Sequence, residues 1–125
     1  MKNKLKAITF IVGFIIGIIT YWFNSYNQSI AFGYNIYLLM AVLSFIAPFF
    51  IGFLFKTRTY NIPLFICVGF LFAVLSRIFF DIFKDSTSHN LFPFEIIFTL
   101  GVAVPFSLTG MYISNFINKK KLWKN

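Results

Sequence analysis

Residues 77–95, RIFFDIFKDSTSHNLFPFE, hold all three acidic side chains of the chain (Asp81, Asp85 and Glu95), its single histidine, His89, and Arg77. Four chemistries can be drawn from these residue types and spacings. Arg77 and Asp81 stand four apart, so on a helix they share a face and can form a guanidinium–carboxylate ion pair. Asp85 and His89 continue the same step, and with Asp81 they would offer oxygen and imidazole ligands to a divalent ion. Two carboxylates and one imidazole, without a second histidine or a cysteine, make a weak metal signal. Ser86-Thr87-Ser88 also argues against an unbroken helix there, because short hydroxyl side chains compete with the backbone and favour turns. We therefore expect no resident metal and no cofactor, with Asp85 and His89 as the weak candidates.

Glu95 follows Pro93, which suits a first helical position. Its charge then falls in the first turn and complements the helix dipole. Ser86, Ser88 and Asp85 lie near His89, but no nucleophile elbow, HExxH or glycine-rich phosphate loop accompanies them. Proximity in a serine-rich loop does not make a catalytic triad. The chain reads as a non-enzyme.

These groups stand in an unusually apolar sequence. Of 125 residues, 59% are hydrophobic and 22% aromatic, with only 11% charged. Between Lys6 and Lys56 there is no Asp, Glu, Lys or Arg. A water-soluble domain needs nearer a quarter of its residues charged, so lipid is the expected solvent for most of the surface. A helix crosses about 30 Å of hydrocarbon with about 20 apolar residues. Four segments reach or approach that length, over about 7–23, 36–55, 62–83 and 94–117. The fold class expected is an all-α integral membrane protein, a four-transmembrane-helix bundle formed as one domain over 1–125. Loops at about 24–35 and 84–93 would lie outside, a turn at about 56–61 inside, and a basic tail at 118–125.

Orientation follows from lysine and arginine in short loops. Lys2, Lys4, Lys6, Lys56, Arg58, Lys119, Lys120, Lys121 and Lys124, nine of the 11 basic residues, fall on one side of a four-pass chain. Both termini are therefore expected in the cytoplasm, with the acids outside. A net charge of +8 placed at the ends of apolar runs is a topology signal, not a nucleic-acid footprint. Lys2–Lys6 before an apolar run also has the form of a signal peptide, with Ser29-Ile30-Ala31 as a small-x-small site. The bulky residues between run and site favour an uncleaved first helix. Cys67 is alone in an apolar run and is expected to be a small core residue.

Each helix carries small residues at four-residue spacing, which lets backbones approach. They are Thr9, Gly13 and Gly17 in the first, Ser44, Pro48 and Gly52 in the second, and Gly69 and Ala73 in the third. The fourth has Ala103 and Ser107, then, three residues on, Gly110 and Ser114. Gly13, Gly17, Gly69, Ala73 and Gly110 are the packing positions expected to matter most. Pro48 and Pro105 are expected to free one carbonyl each.

The small face of the third helix runs on through Gly69, Ala73, Arg77 and Asp81, so the ion pair should meet other helices. Arg77 would lie about 9 Å below the outer boundary, at 1.5 Å per residue. An arginine inside the hydrocarbon costs about 2–3 kcal/mol, less with snorkelling. Three roles compete for the pair: a structural clamp, an anion or partner-carboxylate site, and a proton- or ion-coupled path. The first two helices hold no carboxylate, which favours the clamp over the path. Asparagine, lysine, isoleucine and phenylalanine abound, as AT-rich bacterial genomes encode.

The reading that follows is a protein of a bacterial plasma membrane, of accessory, regulatory or immunity type. Its partners would be the bilayer, anionic lipid headgroups at the basic termini, and a membrane protein or a second copy, but no nucleic acid. The alternative is a small oligomeric transporter or channel with its polar path at Arg77 and Asp81.

Overall fold

A computed structural model describes residues 2–22, 30–31, 34–56, 60–87 and 92–122. Helix α1 spans Lys2–Gly17 and widens into a π-helical turn over Ile18–Trp22. Two short strands follow, β1 (Ile30–Ala31) and β2 (Tyr34–Asn35), paired antiparallel with Ile30 opposite Asn35. Helices α2 (Ile36–Leu54), α3 (Asn61–Lys84) and α4 (Phe92–Leu122) complete the chain. All four helices are long and apolar enough to cross a membrane, over Asn3–Trp22, Ile36–Leu54, Asn61–Lys84 and Phe92–Lys120.

Helices α1 and α4 overrun the expected boundaries in the direction of charge. α1 begins at Lys2, not near residue 7, and α4 carries three of the lysines of the expected tail as far as Leu122. Apolar length marks the stretch that hydrocarbon would cover, whereas lysine is a good helix former and prolongs a helix beyond it. The stretch expected as a loop at 24–35 contains the β1–β2 ladder. Asn35 ends that ladder and caps α2, its Oδ1 accepting from the Tyr37 N–H at 2.9 Å. At the far end of α2, Lys56 takes a left-handed φ of 48° and turns the chain out of the helix.

Helices alternate in direction, yet the tightest partners are α1 with α3 and α2 with α4. Each of these pairs is parallel, since later positions on one helix meet later positions on the other. Lys6 meets Phe65, and Trp22 meets Ser76. In the second pair Gly110 meets Phe45, and Asn118 Nδ2 donates to Gly52 C=O at 3.1 Å.

Small residues are what allow these approaches. A Cβ on Gly13 would collide with the Ile66 carbonyl, and one on Gly69 with the Phe10 carbonyl. The contact is reciprocal: Gly13 and Gly69 are equivalent, as are Phe10 and Ile66, so the crossing has the local two-fold character of a GxxxG pair. Gly17 lies against Ala73 and Phe70, and Gly110 against the Phe45 carbonyl. The residues of the small faces, from Thr9 and Ser44 to Ala103, Ser107 and Ser114, are buried. Around them pack Ile16, Met40, Ile66, Phe70, Val74 and Met111. Large apolar side chains such as Ile11, Leu38, Phe72 and Phe98 point outward, so the bundle is apolar on its surface as well as in its core.

Gly101 has open space where its Cβ would stand. Two glycines therefore predict opposite outcomes. Gly69→Ala should lower the melting temperature in detergent by forcing α1 from α3, with a cost of about 1–3 kcal/mol typical of overpacking. Gly101→Ala should leave it unchanged or raise it, by up to about 1 kcal/mol of helix propensity. Equal melting temperatures for the two variants would contradict the close crossing.

Candidate functional site

Two features of the sequence bring the ionisable groups together at the end of the bundle opposite the terminal lysines. The first is the four-residue step on α3, which aligns Ala73, Arg77 and Asp81. The second is the π-helical turn. Its i→i+5 bonding inserts one extra residue, and such turns often sit at functional positions. On an unbroken α-helix, Gly13 and Gly17 would be followed at the α3 interface by residue 21. With one residue added, Trp22 takes that place and Tyr21 swings sideways toward α4. Thr20, fully buried, donates its hydroxyl to the Ile16 carbonyl at 2.7 Å inside the turn.

Trp22 then does three things. Its Nε1–H donates to the Ala73 carbonyl and to Ser76 Oγ, both at 3.1 Å. Its carbonyl accepts from Arg77 Nη1 at 3.0 Å. Its ring lies beneath the guanidinium, with Arg77 Cζ 5.5 Å from the centroid. Arg77 Nε donates to Asp81 Oδ2 at 2.8 Å, so the guanidinium is held by a carboxylate, a carbonyl and an aromatic face at once. The Arg77 and Asp81 side chains are 22% and 16% exposed, which leaves the pair reachable by water at one edge.

The row continues outward. The Phe80 ring tilts against Trp22 at 5.6 Å between centroids, and Lys84 Nζ stands 4.4 Å from the Phe80 centroid. Two cations thus bracket two rings along one side of α3. On the other side, Tyr21 OH donates to Glu95 Oε2 and ties the first helix to the first turn of α4. Thr99 Oγ1 folds back on the Glu95 carbonyl at 2.8 Å. Glu95 therefore does more than complement a helix dipole: its carboxylate joins two helices. Pro93 is the second residue of α4, one place later than the expected first position.

Asp85 lies apart from this cluster. α3 stops at Lys84, and Asp85 is extended, with φ −145° and ψ 108°. Its Oδ1 accepts from the Thr87 hydroxyl at 2.7 Å and from the Thr87 N–H at 2.9 Å, an Asx turn. The four-residue step from Asp81 to Asp85 to His89 is thereby broken. His89 lies outside the described residues, as does Arg58. Among the described residues no three histidine, cysteine or acidic side chains are grouped as metal ligands. Cys67 is buried, 3.5 Å from Ser107 Oγ, inside the α3–α4 contact.

Arg77, Asp81 and Glu95 were legible as candidates from sequence. Trp22, Tyr21 and Ser76 were not, although Trp22 carried a signal, lying five residues beyond Gly17 next to the interface step. No protein-family model, curated protein or solved structure matches the chain.

Two outcomes follow from this geometry. Trp22→Phe keeps a ring beneath Arg77 but deletes the indole N–H, and should cost about 1 kcal/mol in detergent melting. Trp22→Leu also removes the cation–π contact and should cost about 1 kcal/mol more. At Asp85, the Thr87 hydroxyl and then its N–H hold the carboxyl below its ordinary value of 3.8. A depressed carboxyl stabilises the turn above that range, and its contribution fades as the pH falls below 3.8 toward the folded-state value. In Thr87→Ala the Asp85 carboxyl should titrate at higher pH than in the parent, as followed by its infrared carboxyl band. No upward movement would mean that the hydroxyl does not hold the charge.

Proposed function

We propose that the chain is a small non-enzymatic multi-pass protein of a bacterial cytoplasmic membrane, acting through a membrane-protein partner as an accessory, regulatory or immunity-type subunit. It crosses the bilayer four times with both termini cytoplasmic. Four apolar helices support the threading, and nine of the 11 basic residues on one side support the orientation.

One observation carries the choice of a clamp over a conduit. Two of the five donors of Arg77, the Nε–H and one on Nη1, go to Asp81 and to the Trp22 carbonyl, within the protein itself. Four buried hydroxyls are likewise turned inward on their own helices, whereas buried Ser114 Oγ has no hydrogen-bond partner among the described residues. Thr9 donates to the Lys6 carbonyl, Thr20 to Ile16, Thr99 to Glu95 and Ser107 to Ala103. A conducting path would need such groups facing a shared aqueous lumen. The cluster instead fixes α1, α3 and α4 to one another and presents an ordered polar patch on the outer side, where a partner can read it.

The second reading, an oligomeric transporter or channel, draws on the residual exposure of Arg77 and Asp81. Purified protein in liposomes, assayed for proton, cation and halide flux, distinguishes the two. Flux abolished by Asp81→Asn would establish the transport reading.

For the clamp, Arg77→Ala should destabilise by about 2 kcal/mol, combining a charge-assisted hydrogen bond with a cation–π contact in a partly solvated site. Asp81→Ala should cost less, because Arg77 keeps the Trp22 carbonyl and ring. The exchange Arg77→Asp with Asp81→Arg should recover only part of the loss, since an arginine at 81 stands a turn away from Trp22. Unchanged melting and membrane abundance in both single variants would end the clamp reading. Reporter fusions should place the 56–61 turn in the cytoplasm, and an external turn would reverse the orientation.

A further inference from the structure

At the end of the bundle opposite the ion pair, a cleft of about 260 Å³ opens between the start of α3 and the last turns of α4. It is lined by Tyr60, Tyr112, Asn115, Phe116 and Lys119. We propose that this cleft is a binding site for the headgroup of an anionic phospholipid that carries free hydroxyls, a phosphatidylglycerol. The proposal rests on the bilayer reading given above.

The arrangement starts from helix periodicity. Tyr112, Asn115, Phe116 and Lys119 recur at three and four residues, so they share one face of α4. Asn118, on the neighbouring face, is buried and bonded to the Gly52 carbonyl, which pins this end of α4 to α2. The cleft wall is therefore held in place. Tyr60, immediately before α3, supplies the opposite wall.

Charge selects an anion. Lys119 is exposed at the rim, and Lys56 and Lys120 are exposed at the same end. The chain's three acids, Asp81, Asp85 and Glu95, all belong to the opposite end. Among the described lysines, Lys120 stands over the Phe116 ring at 4.7 Å, whereas Lys119 lines the cleft. The two tyrosines add phenolic hydroxyls and Phe116 an apolar ring to the lining, a combination suited to the boundary between headgroup and acyl chain. Basic pockets between helices on the cytoplasmic side bind phospholipid headgroups.

The second, independent observation selects the hydroxyls. Asn115 Oδ1 is buried and has no hydrogen-bond partner. A buried acceptor without a donor is destabilising, and Asn115 is one of the residues that line the cleft. A glycerol headgroup offers hydroxyl donors to Asn115 while its phosphodiester meets Lys119 and the tyrosines. Phosphatidic acid has the charge without those hydroxyls, and phosphatidylcholine has neither the net charge nor the hydroxyls.

Native mass spectrometry of the purified full chain, exchanged into detergent with equal amounts of dioleoyl phosphatidylglycerol, phosphatidic acid and phosphatidylcholine, reads the site directly. One phosphatidylglycerol should be retained in preference to both others. Lys119→Ala should weaken retention about fivefold, while Lys120→Ala leaves it unchanged and Lys119→Arg restores it. Asn115→Ala should abolish the preference for phosphatidylglycerol over phosphatidic acid without removing the preference over phosphatidylcholine. Equal retention of the three lipids, or equal losses in Lys119→Ala and Lys120→Ala, would show diffuse attraction only and overturn the site. Soluble glycerophosphate competing as strongly as the lipid would overturn the lipid as its source. Carbonate extraction of cell membranes, run in parallel, separates this failure from failure of the bilayer reading: a chain released by carbonate is not integral, whatever it binds.

Discussion

The backbone crossing of α1 and α3 at Gly13 and Gly69 is the constraint from which the rest of the arrangement follows. With carbonyls of Phe10 and Ile66 standing where side chains would otherwise be, the two axes come as near as packing permits. At that separation a residue one turn beyond Gly17 reaches α3 with its backbone as well as its side chain. Trp22 does so, and its carbonyl and indole become partners for Arg77, Ala73 and Ser76. A wider crossing would leave the guanidinium with Asp81 alone. The Trp22 contacts of the guanidinium are thus a consequence of glycine packing about 12 Å back along α3, at 1.5 Å per residue.

The π-helical turn is the device that reconciles two demands on one helix. α1 must keep its small face on α3 and also reach α4 near Glu95. A regular helix points one residue per turn at a given neighbour. The extra residue between Ile18 and Trp22 lets consecutive aromatic side chains serve different helices, Trp22 on α3 and Tyr21 on α4. Buried Thr20 takes part through its hydroxyl bond to Ile16. Thr9, Thr99 and Ser107 behave similarly, closing on carbonyls of their own helices, while buried Ser114 Oγ is left without a partner among the described residues.

The two ends of the bundle differ in how they treat charge. At one end the cations face carboxylates, a carbonyl and rings, and the field is largely cancelled within the protein. At the other, lysines stand without acidic partners among the described residues, and their field is directed outward. On the bilayer reading this asymmetry is the basis of the proposed orientation and of the proposed anion site beside Lys119.

Four apolar runs, the absence of charge between Lys6 and Lys56, and the four-residue recurrence of small residues determined much in advance. They prescribed four helices, the faces by which those helices would meet, and the position of Arg77 and Asp81 on an interface. These are properties of periodicity and composition, which act within one segment and can be read from it. The sequence alone could not say which helix would pair with which, because a small face fits any other small face. Only the tertiary structure chose α1 with α3 and α2 with α4. It alone supplied the π-helical turn, since the phase of Tyr21 and Trp22 depends on a hydrogen-bond slip that no residue pattern announces. The partners of Arg77 beyond Asp81, the Tyr21–Glu95 link and the unpartnered Asn115 all join or border residues distant in the chain. Such contacts arise from distances between segments, and those distances exist only once the helices have packed.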